Sequence, residues 1–179
     1  MFKKVLSLIV VVYCFCGLLA VPASANNYYI TGPYGYYQAN IPIASYYLPS
    51  GYNALYLSAM SSWGNAGMKK WSFTNLTGPV VSGNFIRVKT DGGNWAGRYL
   101  VYAANGNTKN KTTRFEIEIN TTHCTTDPIR KSVIAHELGH AMGLADYTLI
   151  TTVLMNHDRN RSTLTTPTPS DVNGANSTR

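Results

Sequence analysis

Acidic residues and cysteines are scarce in this chain, and a long apolar run occurs only at its beginning. The 179 residues include 8 Asp and Glu, 15 Lys and Arg, and 3 Cys. The basic residues are scattered, and no nucleic-acid motif accompanies the formal charge of +7, so we expect no nucleic-acid partner. Because Cys14 and Cys16 lie in the N-terminal apolar run, removal of that run would leave Cys124 without a partner for an internal disulfide.

The first residues have the layout of a secretory signal peptide. Lys3 and Lys4 precede an apolar run from Val5 to Leu19, and three small residues end at Ala25. We expect cleavage after Ala25 and secretion into the extracellular space, with a membrane anchor as the alternative. Since the apolar run is short for a bilayer span, we predict no stable membrane anchor after cleavage.

The remaining chain of about 150 residues is the size of one domain. Residues 26–39 form a tyrosine-rich lead-in, and the stretch 26–56 holds nine tyrosines. These tyrosines either pack on a sheet or form a carbohydrate-binding or wall-binding face, and packing is the favoured interpretation. We predict that residues 40–179 form the functional domain.

Hydrophobic spacing predicts one helix and a series of short strands. Apolar residues recur at helical spacing from Tyr52 to Met68, with Ser50 as a cap. The predicted strands are near Asn40–Tyr47 and at Lys70–Leu76, Asn84–Thr90, Arg98–Ala104 and Arg114–Asn120. In the last strand every second position from 115 to 119 is apolar, and Glu116 and Glu118 lie between them, which predicts a half-buried strand.

A second helix is predicted to start at Asp127 and Pro128. Asp is a favoured N-cap, and proline is favoured at the first helical position. We expect this helix to run to about Met142, where Gly143 ends it. A Thr- and Pro-rich loop then leads to a short terminal helix from Ser170.

The segment HELGHAMGLAD carries the chemistry. On a helix, the four-residue step from His136 to His140 places both imidazoles on one face, where they can bind one ion. Glu137 flanks that ion and can reach a water molecule on it. A left-handed Gly143 lets the chain turn sharply and return Asp146 as a third ligand. The pattern predicts a catalytic zinc site, because three protein ligands leave the fourth position open.

The pattern HExxHxxGxxD, followed nine residues later by Met155, resembles the metzincin clan of zinc endopeptidases. The sequence HELGHAMGL is similar to matrix-metalloprotease-like enzymes, and Asp146 as third ligand is similar to the snapalysin type. The resemblance implies an α+β fold, with a twisted mixed sheet of four or five strands, two long helices and a small C-terminal subdomain below the cleft. It also implies that Met155 lies in a structural turn under the metal and that Trp95–Ala104 is the edge strand beside which substrate binds.

The resemblance implies that residues 40–179 are a metalloprotease catalytic domain that acts as a monomer on protein or peptide substrates. One zinc ion would polarise the scissile carbonyl and acidify its bound water, and Glu137 would take the water proton and pass it to the leaving amine. His157 is the alternative third ligand, or a group that supports a ligand or stabilises an oxyanion. Two other functions stay open: a secreted surface- or wall-binding module with a structural zinc, and a zinc amidase or other hydrolase acting on a non-protein substrate.

Three further features each have two interpretations. The segment Asp91–Asn94 contacts calcium or forms a tight turn, and the turn is favoured because carboxylates are few. Cys124 is expected to be a buried structural thiol, with a metal ligand or an inhibitory thiol as the alternative. His123 has no spacing argument behind it, so we expect it to be structural or exposed.

Overall fold

The computed structural model describes residues 35–79, 83–105 and 111–178. The strands are β1 (Asn40–Ala44), β2 (Ser72–Leu76), β3 (Phe85–Lys89), β4 (Gly97–Asn105) and β5 (Lys111–Asn120). The helices are α1 (Ser50–Asn65), α2 (Asp127–Ala141) and α3 (Pro169–Ser177). The predicted signal peptide and most of the lead-in lie outside the described residues. None of the described helices is both long enough and apolar enough to span a bilayer.

The five strands form one mixed sheet in the order β2-β1-β3-β5-β4. Strand β1 pairs in parallel with β2 and β3, and β3 pairs in parallel with β5. Strand β4 pairs antiparallel with β5 and lies at the edge, beside α2. The predicted α+β class and the mixed sheet with two long helices are confirmed, and the arrangement is consistent with the metzincin-like fold that the motif implies.

Helix α1 holds α2 in place through a buried tryptophan. Trp63 is fully buried, and its indole Nε1 donates to the backbone oxygen of Ala135 at 3.0 Å. A buried indole N–H needs such an acceptor, because an unpaired donor in the core is costly. The bond fixes α1 against the middle of α2, one residue before the first histidine of the motif.

Strand β5 differs from the prediction of a half-buried strand, because Glu116 and Glu118 are each only 1% exposed. Arg98 Nε donates to Glu118 Oε2 at 2.6 Å, and the Tyr102 hydroxyl donates to Glu116 Oε2 at 2.6 Å. Arg87 forms ion pairs with both carboxylates. The predicted alternation of apolar and acidic residues is present in the strand. However, long basic side chains cover the acidic face, so both faces are buried.

Two predicted N-caps are wrong by one residue. Helix α1 begins at Ser50 with Pro49 at the N-cap, and α2 begins at Asp127 with Thr126 at the N-cap. Neither cap makes a side-chain hydrogen bond to the helix. Pro128 is consequently the second helical residue and not the first, but it still lies in the first turn of α2, where its missing N–H would have no helical partner.

The chain before β1 packs on the end of α2. The Tyr36 N–H donates to the Ala141 oxygen at 2.8 Å, and the Gly35 oxygen accepts from the Thr112 N–H at 3.1 Å. A Cβ atom on Gly35 would lie 2.9 Å from the Gly143 Cα, so only glycine allows this approach. The end of the tyrosine-rich lead-in therefore packs against the turn at Gly143 that ends α2.

The described tyrosines divide between the two interpretations of this region. Tyr36, Tyr52 and Tyr56 are buried, so packing is confirmed for these three. Tyr46 and Tyr47 are 54% and 49% exposed, with ring centroids 5.1 Å apart in an edge-to-face arrangement. The latter two lie in the turn between β1 and α1 and face solvent.

Candidate metal centre

Helix α2 ends in a turn that reverses the chain after the second histidine. Gly143 has φ of +90°, a conformation that strains any residue with a side chain. The Gly143 N–H donates to the His140 oxygen at 2.9 Å, and the Leu144 N–H donates to the Gly139 oxygen at 3.1 Å. This pair of hydrogen bonds is a Schellman motif. The turn brings Asp146 back toward α2.

The structure brings His136, His140 and Asp146 together. Asp146 Oδ1 lies 3.0 Å from His136 Nε2 and 3.8 Å from His140 Nε2. Tetrahedral zinc with bonds of about 2.1 Å separates its ligand atoms by about 3.4 Å. Because the two observed distances lie on either side of that value, the donor set fits one zinc ion.

Glu137 is the second carboxylate beside the imidazoles. The ligand atoms of His136, Glu137 and His140 lie within 4.8 Å of one another, and Glu137 Oε2 is 4.0 Å from His140 Nε2. Asp146 is the better third ligand, because its oxygen is nearer to both rings. Glu137 Oε2 is buried and has no hydrogen-bond partner among the described residues. Such an orphaned oxygen is costly unless a water molecule or a ligand meets it, which fits a metal with its water at this place.

Backbone carbonyls orient both imidazoles. His136 Nδ1 lies 2.9 Å from the Leu154 oxygen, and His140 Nδ1 lies 2.8 Å from the Leu144 oxygen. An Nδ1–H that donates to a carbonyl leaves the lone pair on Nε2, which points to the common centre. Arg159 Nη1 also lies 3.0 Å from His136 Nδ1. In this tautomer both nitrogens are donors, so that distance is a contact and not a hydrogen bond.

Burial and hydrogen bonding set the charges of the three groups. Burial lowers the pKa of His136 to about 4, so its ring is neutral at pH 7, as metal binding requires. The adjoining His136 ring is the main cause that lowers the pKa of Asp146 to about 2, against the opposing effect of burial. Burial raises the pKa of Glu137 to about 7. The centre thus combines neutral imidazoles, an anionic ligand and a carboxyl that readily takes a proton.

Met155 lies directly under α2. It is fully buried, and a Cβ atom on Gly139 would collide with its Sδ and lie 3.0 Å from its Cε. Only glycine at position 139 therefore admits the methionine beneath the helix. The Tyr147 N–H donates to the Met155 oxygen at 2.8 Å, which ties this turn to the segment carrying Asp146. The position is the one that the resemblance assigns to the Met-turn.

Sequence reasoning missed Asp171, a buried residue of α3. Its carboxylate accepts from the backbone N–H groups of Leu154 and Met155 at 2.9 and 3.1 Å. It also accepts from the Thr168 N–H in a capping box at the start of α3. Because the Leu154 carbonyl orients His136, Asp171 helps to position the His136 ring through the backbone. The Thr-x-x-Asp spacing is the sequence signal that could have found it.

Sequence reasoning also missed Arg159, which is only 4% exposed. Its guanidinium donates to Ser132 Oγ and the Ser132 oxygen at 3.1 and 2.9 Å, and to the Asn156 oxygen at 2.9 Å. Burial first, and then the positive charge of Arg161, lowers the pKa of Arg159 to about 10, so it is charged at neutral pH. Its partners on α2 are 27 positions away, and no local pattern marks it.

The centre opens into a cleft of about 710 Å³ between β4 and α2. A Cβ atom on Gly97 would lie 2.6 Å from Glu137 Oε1, and the Tyr99 and His140 rings are 6.2 Å apart. Strand β4 therefore runs along the helix, with Gly97 beside the carboxyl and Tyr99 beside the second imidazole. The edge strand predicted to flank the cleft is found there.

His157 lines the same cleft, at its margin. Its side chain is 51% exposed, and its Nε2 lies 3.1 Å from Asp158 Oδ2. His157 thus pairs with Asp158 in this structure, whereas Asp146 is the carboxylate beside both imidazole rings.

The remaining predicted residues lie outside the metal centre. Asp91 Oδ1 accepts from the Gly93 N–H at 2.7 Å, so a tight turn accounts for this carboxylate without calcium. His123 is exposed, as expected, and its Nε2 lies 2.9 Å from the Gly93 oxygen. Cys124 is fully buried, and burial raises the pKa of its thiol to about 11, which agrees with a structural role.

Comparisons with solved structures include a loose likeness to a protein of low sequence identity. No protein-family model matches the chain, and no curated protein sequence matches it. The solved structure of myroilysin aligns with a TM-score of 0.41 and 15% sequence identity over 60% of this chain. The aligned part spans 48% of the myroilysin chain, about half its length. A likeness this loose carries no argument about activity, so the functional interpretation rests on the geometry of the centre itself.

Proposed function

We propose that this chain is a secreted, zinc-dependent endopeptidase in which His136, His140 and Asp146 hold the metal. The observation that supports this most is the convergence of the three ligand atoms beside a buried carboxyl oxygen without a partner. Two imidazoles, one carboxylate and an open fourth position are typical of catalytic zinc. Secretion is proposed from the N-terminal pattern alone, and N-terminal sequencing of protein recovered from the culture medium tests cleavage after Ala25.

Glu137 is proposed as the general base and then the general acid. A zinc ion in the centre would polarise the substrate carbonyl and lower the pKa of a water molecule. Glu137 Oε2 then accepts a proton from the attacking water and delivers it to the leaving nitrogen. Burial raises the pKa of this carboxyl, which makes its carboxylate a stronger base.

The remaining residues hold these groups in place and admit the substrate. The Leu144 and Leu154 carbonyls fix the two rings, and Asp171 anchors the second of these carbonyls. Strand β4 is an edge of the sheet and lines the cleft. An extended peptide can pair with such an edge through backbone hydrogen bonds, which would place a scissile bond above the metal.

A proteolysis assay separates this proposal from its two rivals. Purified protein is incubated with a denatured protein substrate, with and without a zinc chelator, beside the Glu137→Ala variant. We expect cleavage that the chelator stops and that Glu137→Ala lacks, although the variant still binds one zinc ion. Cleavage that survives both treatments contradicts the proposal. Hydrolysis of cell-wall amides alone indicates an amidase, and tight envelope binding without turnover indicates a binding module.

A further inference from the structure

Three arginines line the cleft, and their charges are balanced differently. Arg98 forms an ion pair with Glu118 at 2.6 Å. Over residues 35–79, 83–105 and 111–178, no carboxylate oxygen lies within 4.0 Å of a side-chain nitrogen of Arg159 or Arg161. Two positive charges therefore face the cleft with no ion-pair partner among the described residues, and Glu137, Asp146 and Asp171 act on Arg159 only from farther away.

The burial of Arg159 makes this imbalance costly. Its hydrogen-bond acceptors are a hydroxyl and carbonyl oxygens, which orient the guanidinium but do not cancel its charge. Buried charges in proteins are normally paired with an opposite charge. Arg161 is close enough to act electrostatically on Arg159, so the two like charges reinforce one another. An anion between them would relieve both the burial cost and the repulsion.

Arg161 is the member of the pair that solvent reaches. It is half-buried, and its Nη2 donates to the His157 oxygen at 2.7 Å, which holds the guanidinium at the wall of the cleft. A guanidinium keeps its charge at all physiological pH values and has five N–H donors in a planar fork. One of these donors is used in the bond to the His157 carbonyl, so others are free to meet a ligand.

The basic pair lies beside the metal centre. Arg159 Nη1 is 3.0 Å from His136 Nδ1, the ring nitrogen that faces away from the common centre, and Arg159 and Arg161 line the same cleft as both imidazoles. The carboxylates of the cleft, Glu137 and Asp146, already have the base and metal-ligand roles in the proposed function. The substrate is therefore the remaining source of a neutralising anion, and the shared cleft places that anion on a residue near the scissile bond.

We propose that Arg159 and Arg161 form a subsite for a substrate carboxylate next to the scissile bond, an inference that rests on the proposed peptidase function. Arg161 binds the carboxylate directly, and Arg159 adds positive charge from beneath. The carboxylate is the side chain of an aspartate or glutamate, or the C-terminal group of a short peptide. Arginine suits either source, because its fork matches a carboxylate with two parallel hydrogen bonds.

A matched peptide series tests the subsite. Fluorogenic peptides of one backbone carry Glu or Gln at each position within two residues of the cleaved bond, and kcat/KM is measured for each. We expect Glu to exceed Gln by about tenfold or more at one flanking position, since a hydrogen bond to a charged group is strong. Arg161→Gln should abolish that ratio, and Arg161→Glu should reverse it, so that the Gln peptide is cleaved faster than the Glu peptide. Lys69→Gln, the same charge change at an exposed site away from the cleft, should keep the ratio.

Further measurements distinguish a side-chain carboxylate from a C-terminal one. They also distinguish failure of the subsite proposal from failure of the peptidase proposal. Short peptides with a free or an amidated C-terminus show whether the terminal carboxylate is the group that binds. If peptides are cleaved but Glu and Gln give equal kcat/KM at every position, and amidation has no effect, the subsite is overturned while the peptidase proposal stands. If no peptide is cleaved, the peptidase proposal fails, and binding of the same peptides, measured by fluorescence anisotropy, decides. Tighter binding of the Glu peptide that Arg161→Gln abolishes supports the subsite, whereas equal binding overturns it.

Discussion

Two buried glutamates lie in different regions of this molecule, Glu118 on the outer face of the sheet and Glu137 in the cleft. Glu118 of β5 is 1% exposed and meets the guanidinium groups of Arg87 and Arg98. Glu137 of α2 is 4% exposed, and its Oε2 has no partner among the described residues. Burial alone does not distinguish the two acids, but their partners do. A buried acid whose oxygens are met by cations stabilises the fold, whereas one left unmet indicates a place for a reactant.

The pKa values of the two groups move in opposite directions for this reason. Burial alone would raise the pKa of Glu118, but hydrogen bonds from Arg87 and Arg98 lower it below its ordinary value. The same burial raises the pKa of Glu137 to about 7, because the nearby charges are too weak to oppose it. One carboxyl is held as an anion, and the other is able to exchange a proton.

The largest expected effect is a difference in kcat/KM between two matched substitutions, one at each buried glutamate. Glu137→Gln should lower kcat/KM by about 10²–10⁴-fold, because it removes the proposed general base, and should leave the fold intact. Glu118→Gln should keep kcat/KM near that of the wild type. Steady-state kinetics with one peptide substrate checks both. Equal losses in the two variants would mean that the unpartnered oxygen has no special role.

Removal of the third ligand should have the next largest effect. Asp146→Asn should weaken zinc binding by more than about 100-fold, since even groups that only support a ligand contribute 10–100-fold. Asp158→Asn is the matched control, because Asp158 pairs with His157 at the cleft margin. Competition with a zinc-sensitive dye measures both affinities. A larger loss in Asp158→Asn would indicate that the His157 side of the cleft holds the metal.

In the metal-free protein, Glu118→Gln should affect the free energy of unfolding more than Glu137→Gln does, which is the reverse of the order expected for activity. Glu118→Gln should lower the free energy of unfolding by about 1–3 kcal/mol, because two arginines lose their shared anion. Glu137→Gln should leave it unchanged or raise it, because an unpaired buried carboxyl becomes neutral. Urea denaturation in the presence of a chelator measures both changes. A loss in Glu137→Gln as large as that in Glu118→Gln would show that the cleft carboxyl is also a structural group.

The smallest expected effect is the pH dependence of the contribution that Glu118, on the sheet, makes to the free energy of unfolding. Because the pKa of Glu118 is lower in the folded than in the unfolded chain, its contribution is complete above the unfolded value of about 4.3. That contribution is lost as pH falls through the folded pKa. The difference in unfolding free energy between wild type and Glu118→Gln should be constant from about pH 5 to 7 and should shrink below about pH 4. Glu116→Gln is the control with the opposite sign, since burial raises the pKa of Glu116.

The parts of the centre that depend on local geometry could be predicted from the sequence. The spacing of His136 and His140 fixes their shared helix face, and Gly143 adopts the positive φ that the turn requires. Asp146 follows within the same turn, so its proximity to the rings depends on a few dihedral angles. The chain order of strands and helices was likewise readable, because each element has its own hydrophobic period.

The parts that depend on distant segments could not be predicted in the same way. Arg159 meets Ser132 only after the chain has returned under α2, and no periodicity encodes that meeting. The acidic face of β5 is buried because Arg87 and Arg98 come from neighbouring strands whose register the sequence does not state. Asp171 could be predicted only in part. Its capping box follows from the local sequence, but its hydrogen bonds to the turn at Met155 depend on distant packing.

A crystal structure of the zinc-loaded protein tests the central claim most directly. We predict one zinc ion bound by Nε2 of His136 and His140 at about 2.0–2.1 Å and by a carboxylate oxygen of Asp146 at about 2.0–2.2 Å, with the fourth position open to the cleft. An Asp146 side chain turned away from the metal, with no other protein group in its place, would contradict the proposed activity.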